Sequence, residues 1–312
     1  MNIFLNQQED RLRAGWRVVA QFFLMLAIAL CFFLLFKELF AWSGTVPQTV
    51  AIALGAVISI FAAARGLDRR HWSDYGLSDD PSWILNTSLG FILAGLAITL
   101  VFLIEYAAGW ITITGFGWQR VNDTPYLLAF ASYFGWMIIV GFYEELLFRG
   151  YQITNLAEGL HFQSISRQQA VSAALVVSSV LFGVGHYFNP NASWISTINV
   201  AIAGAMLAIP FIITGRLSWS IGLHIGWNFF LGGIYGYPVS GMPNRFSLLQ
   251  IDQQGPSWIT GGSFGPEAGL LGLLAMAAVT GCLLAYFRQA QQKISVSPRL
   301  GCYRPHSRYY PT

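Results

Sequence analysis

A chain of 312 residues could hold two soluble domains, but only 10% of its residues are charged, where a soluble chain carries about a quarter. Hydrophobic residues make up 55% and aromatics 15%, and mean hydropathy is +0.53, so 17 Lys+Arg and 14 Asp+Glu cannot cover a soluble surface. A soluble globular protein is excluded, and a net charge of +3 scattered over short loops and tails is no nucleic-acid-binding surface.

The expected fold is an all-α, polytopic membrane bundle of about eight transmembrane helices. In chain order, eight apolar runs reach the roughly 20 helical residues that a bilayer requires. They lie near 16–36, 46–64, 84–108, 125–147, 169–188, 195–214, 217–235 and 267–287. Arg11, Arg13 and Arg17 precede the first run as in a signal peptide, but the run is too long for an h-region and has no small-x-small cleavage site. It reads as an uncleaved anchor. Only Gly215 and Arg216 separate the sixth and seventh runs. Cys31, Cys282 and Cys302 are too far apart in sequence to argue a disulfide framework or a thiolate metal site.

If eight spans alternate, 14 of the 17 basic residues fall on one side, leaving Lys37, Arg120 and Arg245 opposite. The positive-inside bias then puts both termini in the cytoplasm, as in a multi-pass protein of a bacterial inner membrane. Residues 1–312 read as one integral-membrane domain, with a motif-bearing core over 125–235 and a basic cytoplasmic tail over 288–312. The stretch 236–266, rich in Gly, Pro and Ser, reads as an external loop with Tyr235, Tyr237 and Trp258 suited to the interface.

An ionisable side chain within lipid costs roughly 2.5–3.5 kcal/mol on insertion scales, so each one needs a reason. Glu105, near the outer end of the third run, is expected to reach the interface. Four others sit deeper: Glu144, Glu145, His186 and His224. In GFYEELLFRG, Glu145 and Arg149 are four apart with the acid first, the favourable order for an ion pair on one helix face. Glu144 is rotated about 100° away and keeps a free carboxylate, as a general base requires. Phe182 and His186 share a face in LFGVGHYFNP, as do His224 and Asn228 in HIGWN, where the amide adds neutral donors fit to hold an oxyanion. Taken singly, each pattern serves interhelical hydrogen bonding equally well.

Together the patterns resemble the CAAX protease and bacteriocin-processing family of intramembrane endopeptidases, the CPBP or Abi group. The motifs E-E-x-x-x-R, F-x-x-x-H and H-x-x-x-N stand here as Glu144-Glu145-x-x-x-Arg149, Phe182-x-x-x-His186 and His224-x-x-x-Asn228, in the family's order. The stretch GGSFGPEAG at 261–269 is similar to a segment of some bacterial members. The resemblance implies that Glu144 and His186 activate water, that His224 and Asn228 hold the carbonyl oxygen, and that Glu145 and Arg149 support them. It implies a membrane-embedded or lipidated protein or peptide substrate, such as a prenylated CAAX-like chain, met in the lipid bilayer from a cavity open toward the cytoplasm. No cofactor is favoured. Zinc belongs to the alternative metalloprotease reading, although H-E-x-x-H is absent and Asn is a poor zinc ligand. Outside catalysis, the family also includes non-catalytic bacteriocin-immunity and scaffold membrane proteins. A proton-coupled carrier would call for paired broken helices in two halves, and no such pairing is visible.

Overall fold

The computed structural model describes residues 3–7, 9–40, 44–119, 124–243, 246–291 and 294–303. Arg120, Arg245, Lys293, Arg304 and Arg308, all counted in the orientation argument, lie outside them.

A short hairpin, β1 (Leu5–Asn6) against β2 (Arg11–Leu12), leads into α1 (Ala14–Phe40). Helix α2 (Thr45–Ala63) ends in a π-helical turn, Ala64–Asp68, and is followed by α3 (Ser82–Ala107) and strand β3 (Ile111–Phe116). Helix α4 (Tyr126–Glu145) continues through a π-helical stretch, Leu146–Ile153, into α5 (Thr154–Leu160). Helix α6 (Arg167–Gly185) starts at a capping box, in which Ser166 Oγ accepts the Gln169 N–H while Gln169 Oε1 accepts the Ser166 N–H. Helix α7 (Trp194–Thr214) stops at Gly215, whose φ of 67° suits only a residue at ease in the left-handed region. Helix α8 (Ser218–Asn228) runs on through a second π-helical stretch, Phe229–Ile234. Strand β4 (Leu249–Gln253), the single turn α9 (Ser257–Thr260) and helix α10 (Leu270–Gln291) complete the order.

Among the described residues, seven helical stretches are long and apolar enough to cross a membrane: 14–39, 45–68, 82–107, 126–160, 167–185, 194–214 and 270–290. The protein is an all-α bundle and an integral membrane protein. The seventh run, 217–235, differs. All 11 residues of α8 are buried, so its apolar side chains meet other helices and not lipid. Its closest partner is α3. A side chain on Gly222 would run into the carbonyl oxygen of Thr87, and one on Gly226 into that of Phe91, so glycine sets how near the two helices come. By contrast, α1 turns Phe23, Leu26, Leu30 and Leu34 outward, as a lipid-facing helix does.

Two expectations fail in the segment that follows α8. Residues 236–266 are not a plain loop, because β4 pairs antiparallel with β3 and Tyr237 is buried. Glu105 does not reach the interface. It is buried and accepts hydrogen bonds from Tyr237 Oη (3.0 Å) and Gln253 Nε2 (2.8 Å), tying α3 to that segment. A donor supplied by tertiary packing replaced the water that the carboxylate was expected to find.

At the opposite end, several arginines of the orientation argument are structural. Arg11, Arg17 and Arg70 all reach the Glu158 carboxylate, and Arg17 also pairs with Asp68 at 3.3 Å. This network joins the amino-terminal hairpin, α1, the end of α2 and α5.

Candidate active site

The motif residues occupy places where regular helix gives way. Glu144 and Glu145 close α4, Asn228 closes α8, and π-helical turns follow both. Such turns shift the side chains beyond them and recur at functional sites. His186 is not inside a span: α6 ends at Gly185, and His186 is the residue that ends the helix.

Glu145 and Arg149 form the expected pair at 2.8 Å, both buried. The same Glu145 oxygen also accepts from His224 Nδ1 at 2.7 Å, a contact across 79 positions that the motif spacings could not reveal. With its proton on Nδ1, His224 turns Nε2 toward Glu144 Oε2, 3.7 Å away. That Glu144 oxygen has no hydrogen-bond partner among the described residues. The other, Oε1, accepts from the Tyr143 hydroxyl at 3.0 Å, so Glu144 is free of Arg149 but not wholly unpartnered.

Phe182 is central to the packing. The Arg149 guanidinium lies 4.3 Å from its ring centroid, the His186 ring 4.7 Å and the His224 ring 6.0 Å. The second Arg149 nitrogen, Nη2, donates to the Gly204 carbonyl at 3.0 Å, which fastens α4 to α7. His186 Nδ1 donates to the Phe182 carbonyl at 2.8 Å; because a carbonyl can only accept, Nδ1 carries a proton, and in the neutral ring the lone pair is on Nε2.

Glu144, His186, His224 and Asn228 line one cavity of about 490 Å³, walled by apolar side chains including Met137, Trp136 and Leu207. Glu145 and Arg149 stand behind its wall. The cavity also holds Glu267, which motif reasoning missed. The available sequence signal was an acidic residue at the start of an apolar run, inside the GGSFGPEAG stretch.

Exposed Thr45, Gln48 and Pro243 line the cavity at the end of the bundle opposite the amino terminus. A cytoplasmic amino terminus and a cavity open toward the cytoplasm therefore cannot both hold. The reason is the direction of α6, which enters from the amino-terminal end and delivers His186 at its far end.

The side chains do not make an evident zinc site. Glu145 is committed to Arg149 and His224, and among the described residues no group of three or more His, Cys, Asp or Glu side chains is assembled to hold a metal ion.

Comparison with curated proteins and with solved structures gives no match. Residues 125–230, a third of the chain, match the family model described as type II CAAX prenyl endopeptidase Rce1-like, and this stretch carries all three motifs of the CPBP resemblance.

Proposed function

We propose that the protein is an intramembrane endopeptidase acting on a membrane-associated protein or peptide. The observation that carries this reading is the juxtaposition at Glu144: a carboxylate oxygen with no hydrogen-bond partner among the described residues, 3.7 Å from a histidine nitrogen, in a cavity shared with a second histidine and an amide. The family match over 125–230 supports the same chemistry.

In this reading, water bound between Glu144 and His186 Nε2 loses a proton as its oxygen attacks the scissile carbonyl carbon. The carbonyl oxygen becomes an oxyanion held by Asn228 Nδ2–H and by His224 Nε2–H when that ring carries both protons. The proton taken from water passes to the leaving nitrogen, the C–N bond breaks, and a carboxylic acid and an amine depart, the acid then losing its own proton to solvent. Glu145 and Arg149 keep His224 in orientation. No step passes through a metal ion.

Purified protein in lipid should cleave members of a peptide library, and Glu144→Ala should lower the rate by at least about a hundredfold, the scale of a lost general base. Cleavage at the wild-type rate in that variant would remove Glu144 from the mechanism. A zinc chelator should leave activity unchanged; loss on chelation and recovery with zinc would favour the metalloprotease alternative. Full biological complementation by a Glu144→Gln, His186→Ala double variant would favour a non-catalytic immunity or scaffold role.

A further inference from the structure

Glu267 is a buried carboxylate in the cavity wall to which the proposed reaction gives no part. We propose that it is a positioning residue, whose carboxylate ties the helix carrying His224 and Asn228 to the loop that grips the turn after His186. The kinetic consequence rests on the hydrolase reading; the structural consequence does not.

The tie can be followed atom by atom. Glu267 Oε1 accepts from Trp227 Nε1 at 3.2 Å, and Trp227 is the residue before Asn228 on α8. Glu267 Oε2 accepts from the Ser240 N–H at 2.5 Å and from the Ser240 hydroxyl at 3.0 Å. The Ser240 carbonyl in turn accepts from Asn189 Nδ2 at 2.9 Å, and the Asn189 N–H donates to the His186 carbonyl at 3.1 Å. Three donors thus occupy the two oxygens of Glu267. It serves the site through its neighbours and does not touch the reacting atoms.

The backbone around this tie is built for close approach. Ser240 holds φ at 47°, in the left-handed region that costs a residue with a side chain, and such a conformation persists only where neighbours enforce it. Next to it, Gly241 has φ of 82°, and a side chain there would run into the Pro190 carbonyl oxygen. Gly265, with φ of 103°, likewise leaves no room for a Cβ against the Pro238 carbonyl oxygen. The Gly241 N–H donates to the Phe264 carbonyl at 2.8 Å. Gly265 and, across from it, Gly241 therefore let the GGSFGPEAG segment press against the loop at 238–241, which brings Glu267 to Ser240.

Glu267→Gln isolates the effect, because it keeps the side chain's shape. Trp227 Nε1 and Ser240 N are both donors and sit on different oxygens, so whichever way the amide turns, its NH2 faces an N–H. Displacement of a catalytic group by about an ångström costs on the order of a hundredfold, so we expect kcat to fall roughly ten- to a hundredfold. KM should stay within about threefold, because the loss is in transition-state geometry. Asn189→Ala should also lower kcat. The double variant should lose little more than Glu267→Gln alone, because both act on the same loop. Hydrogen exchange at the amides of 240–242 should quicken about tenfold in either single variant, whether or not the protein cleaves peptides.

Unchanged kcat in Glu267→Gln, multiplying effects in the double variant, or unaltered exchange would each overturn the proposal. Should the purified protein cleave no peptide while exchange quickens as expected, the hydrolase reading falls and the Glu267 tie stands.

Discussion

Arg149 is 1% exposed and pairs with the Glu145 carboxylate, while its guanidinium lies 4.3 Å from the Phe182 ring centroid. Removing one partner of a buried pair strands the other charge, at a cost of about 3–5 kcal/mol. Arg149→Met should therefore lower the thermal unfolding temperature markedly, whereas a surface change such as Arg69→Met should barely move it; equal shifts would show that the pair contributes little. Phe182→Leu keeps an apolar side chain but loses the ring beneath the guanidinium, worth about 0.5–2 kcal/mol, so it should destabilise less than Arg149→Met in the same measurement. The i to i+4 relation of Glu145 and Arg149 was legible in the sequence because one turn of helix brings them together. That Phe182 would lie under Arg149 was not, since the two residues are on different helices.

Helix α8 shows why an apolar run need not face lipid. Its glycines lie against the backbone of α3, and adding bulk there forces the helices apart. Overpacking of this kind costs about 1–3 kcal/mol, so Gly222→Val should destabilise the protein and disturb the site through His224, two residues on. Wild-type stability and activity in that variant would show that the contact tolerates separation. The turn joining α7 to α8 is held to the start of α3 by Asp80, which accepts the Ser82 N–H and hydroxyl and pairs with Arg216 at 2.8 Å. Those hydrogen bonds from Ser82, with help from Arg216, hold the Asp80 carboxyl below its usual range. A lowered carboxylate contributes stability above its unfolded value near 4 and loses it as pH falls through the folded value. Asp80→Asn should thus remove one component of acid sensitivity below about pH 4, and an unchanged acid unfolding profile would count against it.

At the scale of the whole molecule, the mouth of the cavity and the basic ends lie on opposite faces. If the positive-inside bias orients the chain, Gln48→Cys, made with the three native cysteines changed to Ser, should react in intact cells with a thiol reagent that cannot cross the membrane. Labelling only after the membranes are opened would reverse the orientation. Seven of the eight apolar runs as spans, the two adjacent acids and the three motifs in order were legible in the sequence alone, because hydropathy and helical period act over a few residues. Only the tertiary structure decided that Glu145 also holds His224, that Glu267 and Ser240 brace the cavity, and that His186 ends its helix on the far side. Those outcomes depend on how separate helices cross and which donor reaches a buried carboxylate, and sequence periodicity carries no information on either.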